Sequence, residues 1–268
     1  LRTTFLHGGE IIRQNLTGVR GMIERELEDG ILTLRLAHGK ASAMDVELLE
    51  ALGAELASAA DARAVILTGT GGIFSAGVDL YRITDGGAAY VDRFVPLLST
   101  FVRALFALPV PVVAAVNGHA IAGGGVMTLA ADYRIMAEGN GRIGVPELVV
   151  GVSFPAAPLE VVRFAVPRHR LQALVYTGAT LAPHDALAAG LLDEVVPPDA
   201  LPGRAREVAA QLASLSPEVF RATKQALRAD ALARMDAAAE YDRRAHALWS
   251  APDTHARIRA YMERVVRR

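Results

Sequence analysis

Val112-Val113-Ala114-Ala115-Val116-Asn117-Gly118-His119-Ala120-Ile121-Ala122-Gly123-Gly124-Gly125 joins an unbroken apolar run to a glycine triplet. The run is short, β-branched and free of polar alternation, the pattern of a strand buried on both faces of a parallel sheet. The same arrangement occurs upstream, where Ala64-Val65-Ile66-Leu67-Thr68 leads within a few residues to Phe74-Ser75-Ala76-Gly77-Val78-Asp79-Leu80. Glycine in such loops permits positive φ and lets the main chain approach a ligand with no Cβ in between. Two amides turned toward one oxygen from neighbouring strand ends make an oxyanion hole, which stabilises charge growing on a carbonyl.

Commoner readings of glycine-rich loops fail on spacing. A Walker-type phosphate loop needs Lys and then Ser or Thr after its last glycine, but Gly125 is followed by Val126 and Met127. A dinucleotide fingerprint after Thr68 lacks its third glycine, because Phe74 stands there. A nucleophile elbow at Ser75 would need glycine where the chain has Ile73. Ser75 therefore reads as a loop hydroxyl.

The chain has 268 residues and a formal net charge of -1, which suits one large domain or a domain with an appendage. Near-neutral charge without a Lys/Arg block argues against a nucleic-acid partner. With no cysteine, disulfides, thiolate catalysis and cysteine-ligated metals are excluded, and a cytoplasmic setting is expected. The seven histidines form no His-Glu-x-x-His pattern, so no metal site is expected. Residues 104–131 carry no charged side chain and are long enough to span a bilayer. Pro109, Pro111, Asn117 and the triplet break that stretch, so no membrane segment is expected. Residues 1–21 begin on Leu1 and contain Arg2, Arg13, Arg20 and one acid, Glu10, faintly like a transit peptide. An N-terminal extension is the preferred reading.

Strand-like runs fall at residues 23–28, 31–36, 64–68, 112–116, 133–136 and 194–196, and helical periodicity at 45–60, 88–106 and 124–131. Such alternation predicts an α/β fold with a mostly parallel sheet and crossovers. After Pro155 the pattern is almost wholly helical, punctuated by prolines. The organisation expected is an extension over 1–21, a core over 22–198 and a helical region over 199–268.

The two loops, together with Ala131-Asp132-Tyr133-Arg134-Ile135 and Ile143-Gly144-Val145-Pro146-Glu147, resemble the crotonase, or enoyl-CoA hydratase/isomerase, superfamily. The resemblance runs from about Met22 to the C-terminus. It implies a crotonase-like ββα spiral core with a helical C-terminal trimerisation region, assembled as a homotrimer or a hexamer made of two trimers. It also implies an acyl-CoA thioester as ligand, with coenzyme A part of the substrate and no separate cofactor. By analogy with the family motifs, the amides of Val78 and Gly124 form the oxyanion hole, with Gly124 opening a helix whose dipole adds positive potential. Gly77, Leu80, Gly123 and Met127 are expected to line the same site by this analogy. His38-Gly39-Lys40-Ala41-Ser42-Ala43-Met44-Asp45 resembles the first CoA-contacting loop, with Lys40 near the nucleotide end, the backbone of Ser42 and Ala76 near the adenine, and Ala43 in the same substrate site. Asp79 borders this substrate site and reads by itself as a helix cap, and Tyr81 replaces a basic residue common in the family.

Glu147 follows Pro146 and precedes the apolar Leu148-Val149-Val150, a setting that would raise its pKa toward that of a base working near neutrality. On pattern alone an exposed loop glutamate is the commoner reading. The resemblance instead makes Glu147 one of two catalytic carboxylates. The position of the second, two residues after the triplet, holds Met127, whose thioether can neither accept nor deliver a proton. A sole glutamate resembles the Δ3,Δ2-enoyl-CoA isomerase branch, although Pro146 is more hydratase-like. Two alternatives stay open: a hydratase with a substitute carboxylate, such as Asp85 on an expected mobile Gly-rich loop, and a noncatalytic acyl-CoA binder.

Overall fold

The structure is a computed structural model that describes residues 21–59 and 61–266. The reading of residues 1–21 as an extension falls outside these residues, apart from Gly21. The main sheet has the order β1 (Ile23–Glu28), β2 (Ile31–Leu36), β3 (Ala64–Thr68), β5 (Val112–Val116), β7 (Tyr133–Ala137) and β10 (Glu194–Val196). Only β1 and β2 pair antiparallel; the remaining neighbours run parallel. A second sheet has the order β4 (Ile73–Ser75), β6 (His119–Ile121), β8 (Ile143–Gly144) and β9 (Thr180–Leu181).

The absence of alternation in β3 and β5 follows from their burial on both faces. One face sends Val65, Leu67, Val112 and Ala114 into the main core, which α1 (Val46–Ala59), α2 (Leu80–Ala107) and α3 (Gly123–Ala130) cover. The other sends Ala64, Ile66, Val113 and Ala115 against Leu201, Ala205 and Val208 of α8 (Leu201–Ala213). Successive residues of one strand thus serve different cores.

Along the chain between β8 and α8, interleaved with β9 and β10, come α4 (Glu147–Val150), α5 (Ala156–Ala165), α6 (Arg168–Thr177) and α7 (Pro183–Ala188). The chain ends in α9 (Pro217–Asp236), α10 (Ala239–Ser250) and α11 (Pro252–Val266). A buried ion cluster pins α9 to the sheet: Asp132 accepts from Lys224 Nζ at 2.6 Å and from Arg228 at 2.7 Å. Lys224 also donates to the Val110 carbonyl at 3.0 Å. Burial pushes its ammonium down to about 8. Both α10 and α11 pack back on α2.

Three local differences from the sequence reading have physical causes. The segment expected as a mobile Gly-rich loop around Asp85 is helical within α2, with only Gly87 leaving the helix (φ 59°, ψ -152°). The α2 helix therefore begins at Leu80, where Asp79 accepts from the amides of Tyr81 and Arg82 at 3.0 and 3.1 Å. Finally, α3 starts at Gly123 rather than Gly124. Among the described residues no helix is long and apolar enough to cross a membrane. The uncharged stretch 104–131 supplies the end of α2, β5, β6 and α3.

Candidate active site

Strands β4, β6 and β8 are parallel neighbours, with Ser75 beside Ala120 and Ile121 beside Gly144. Their C-terminal ends therefore face one way, about 4.8 Å apart. The chain leaving β4 is the Ala76–Asp79 loop, the chain leaving β6 enters α3 through Ala122, and the chain leaving β8 reaches Glu147 through Val145 and Pro146. Register alone thus brings together three segments that lie far apart in sequence.

Glycine lets the first two segments touch. Gly77 has φ +82°, and a Cβ there would lie 2.6 Å from the Ile121 carbonyl oxygen and 3.0 Å from the Gly123 nitrogen. A Cβ on Gly124 would lie 2.4 Å from the Ser75 carbonyl oxygen. Ser75 is a structural hydroxyl, donating to the Ser42 carbonyl at 2.8 Å and accepting from the Gly77 amide at 3.2 Å. Between β6 and α3, Ala122 sits at φ 50°, ψ -119°, a conformation suited to glycine. Such strain concentrates where surrounding structure enforces a functional backbone geometry.

The loop amides are mostly engaged: Ala76 donates to Ala41, Asp79 to Met44 and Ala122 to Gly144, at 2.9 to 3.0 Å. Among the described residues, the amides of Val78, Gly123, Gly124 and Gly125 donate to no protein acceptor, and of these residues Val78 and Gly123 line the cavity described below. The glycine amides belong to the first turn of α3, where the helix dipole is positive. The Val78 and Gly124 amides are thus among the donors left open on these loops.

Glu147 heads the single turn of α4, which Gly151 closes in the left-handed region. It is 8 % exposed, and its Oε2 has no hydrogen-bond partner. Burial pushes the carboxyl from its ordinary 4.5 up to about 8, opposed in part by its own backbone N–H. The cavity it faces is lined by Ala76, Val78 and Leu80 on one side and by Ile121, Ala122 and Gly123 on another. Its open space is about 650 Å³, a figure that includes solvent at the mouth.

The burial of Glu147 makes stability depend on pH. Below pH 4.5 the carboxyl is protonated in folded and unfolded chains alike. Between 4.5 and about 8 the unfolded chain releases the proton first, so stability falls as pH rises, by a total of about 5 kcal/mol. Glu147→Gln removes this titration. Its unfolding free energy, measured in denaturant, should exceed that of the unsubstituted protein by an amount that grows from pH 5 to pH 8.5; a constant difference would contradict the buried, unpaired carboxyl.

The remaining expected residues divide into groups. Gly77 joins the two loops from behind, while Ala76, Leu80 and Gly123 line the cavity. Ser42 is buried at φ +44°, Ala43 is half-buried and Lys40 is exposed, on a segment that Asp45 steadies by accepting from the Leu48 amide and contacting His38 Nε2 at 2.7 Å. Met127 is buried in the main core and is not among the cavity-lining residues. Asp85 is exposed and likewise absent from the lining. Arg82, beside the exposed Tyr81, is paired with Glu47 at 2.5 Å. Among the described residues no group of three or more His, Asp or Glu could hold a metal ion.

Sequence reasoning missed the far wall, built by Leu98 and Val102 of α2, by Phe154, and by Trp249 and Tyr261 of α10 and α11. Helical periodicity marks an apolar face but not what that face meets. The sole signal was that Trp249 is the only tryptophan in the chain.

A family model described as enoyl-CoA hydratase/isomerase matches residues 26–266. A Thermus thermophilus protein provisionally named an enoyl-CoA hydratase is 37% identical over 188 residues, covering 69% of this chain and 73% of its own length. An enoyl-CoA isomerase of Mycobacterium tuberculosis is 32% identical, with a TM-score of 0.74 over 81% of this chain and 95% of the other. Human mitochondrial Δ3-Δ2-enoyl-CoA isomerase superposes with a TM-score of 0.87 over 92% of this chain and 98% of the other. At 23% identity it speaks for the fold.

Proposed function

Since the chain belongs to the enoyl-CoA hydratase/isomerase family, we propose that it moves a double bond in an enoyl-CoA thioester from the 3,4 to the 2,3 position, with Glu147 as the only acid/base. The observation that carries this reading is one buried, unpaired carboxylate oxygen in a cavity bordered by two loops whose Val78 and Gly124 amides are open. Glu147 takes a proton from C2 of the substrate. The electron pair left behind spreads onto the thioester oxygen, which the Val78 and Gly124 amides hold as an enolate. Glu147 then returns the proton at C4 and the double bond closes between C2 and C3. The cycle runs on protons alone and consumes no cofactor. Lys40, Ser42 and Ala43, together with Ala76 of the cavity lining, would receive the nucleotide end of coenzyme A.

Hydration makes a different demand, since water must be deprotonated while a proton reaches C2. Met127 offers neither function, and Asp85 is exposed. The two chemistries also require opposite starting states of Glu147: ionised for isomerisation, protonated if it delivers a proton to C2. Initial rates with 3-enoyl-CoA and 2-enoyl-CoA across pH 6 to 9 test the reading. Isomerisation should dominate, and its kcat/KM should rise with pH toward a plateau above about 8. A dominant hydration rate that falls through the same pH range would replace the isomerase by a hydratase. Stoichiometric binding of both thioesters without turnover would leave a binder.

A further inference from the structure

The residues lining the cavity differ in exposure: Ala76 is exposed and Leu80 and Tyr261 are half-buried, whereas Leu98, Val102, Val126, Phe154 and Trp249 are buried. None of these five buried side chains is charged, and the one polar group among them is already engaged: Trp249 Nε1 donates to the Ser153 carbonyl at 2.7 Å. A hydroxyl or charge carried against them would find no side-chain partner among them, which disfavours it strongly.

The indole is also fixed in place. Besides the Ser153 bond, its ring lies against Phe94 with centroids 6.4 Å apart, and its backbone carbonyl meets His255 Nε2 at 2.9 Å. The adjoining wall belongs to the same unit, because α10 grips it twice more. Tyr241 donates to the Phe154 carbonyl at 2.9 Å, and Asp242 accepts from the Ala156 amide at 2.7 Å. The indole thus cannot swing aside without breaking its bond to Ser153 and its contact with Phe94.

We propose that Trp249 closes the acyl end of the cavity, setting the longest acyl chain the site accepts and restricting it to uncharged aliphatic tails. This rests on the reading of Glu147 and the two amides as the thioester end. Saturated straight-chain acyl-CoAs of increasing length provide the test, because they bind without reacting and so do not depend on which reaction is catalysed. Trp249 is the single tryptophan, so its fluorescence reports contact directly. Affinity should rise about fourfold per added methylene until the chain reaches the indole. There the gain should stop and the fluorescence should change. In Trp249→Phe, which keeps an aromatic ring in the core, the stop should move to longer chains, and in Trp249→Ala further still.

The unsubstituted protein and the Phe variant decide the matter even where the Ala variant fails to fold. An unchanged stop in the Phe variant, or fluorescence that ignores chain length, overturns the role of Trp249. Failure of every acyl-CoA to bind instead overturns the thioester reading beneath it.

Discussion

Glu147→Gln is expected to reduce turnover of an enoyl-CoA by about 10²- to 10⁴-fold, the range for losing a general acid/base, while acyl-CoA affinity changes little. Glutamine keeps the volume and hydrogen-bonding capacity but cannot take a proton from C2. Burial raises the pKa of the carboxyl to about 8, so turnover by the unsubstituted protein should rise with pH through neutrality and the residual turnover of the variant should not. Steady-state rates over pH 6 to 9 for both proteins check this. Turnover in the variant within a few fold of the unsubstituted protein would remove Glu147 from the chemistry.

Gly77→Ala should be nearly as damaging by another route. The position has φ +82°, and a methyl group there would overlap the Ile121 carbonyl and the Gly123 amide. Left-handed strain in a non-glycine residue and overpacking against rigid backbone together amount to about 2 to 5 kcal/mol. Because the overlap pushes the Val78 loop away from the start of α3, the two donors should lose their common focus. Loss of one oxyanion donor alone lowers kcat by about 10²- to 10³-fold. Thermal unfolding and turnover should both fall, and an alanine variant with unaltered melting and rate would show that the loops do not meet as described.

The parts of the fold legible in the sequence were those with enough length to show a period or a continuous apolar run. β3 and β5 announced themselves because burial on two faces leaves no polar position. The second sheet was invisible, since β8 and β9 have two residues each and β4 and β6 three. Its presence could be sensed only through Gly77 and Gly123 to Gly125, residues required where these strands deliver backbone at close quarters. Asp85-Gly86-Gly87 reads as a loop because two glycines oppose a helix, yet packing of the flanking turns keeps all but Gly87 in α2. Met127 stood correctly after the triplet, but the facing of its side chain, into the core rather than the cavity lining, is a tertiary fact. The contribution of Trp249 and Tyr261 is equally tertiary: it depends on α10 and α11 folding back onto α2.

Three miniature strands deliver three parts from one end: two glycine-rich loops from β4 and β6, and the buried carboxyl of Glu147 from β8. In the proposed reaction, the amides that would hold negative charge are thus anchored separately from the carboxyl that would handle protons. Substituting side chains around Glu147 would then change the fate of an enolate without moving the amides proposed to stabilise it. On this frame the intermediate and its outcome could be altered independently, one side chain at a time.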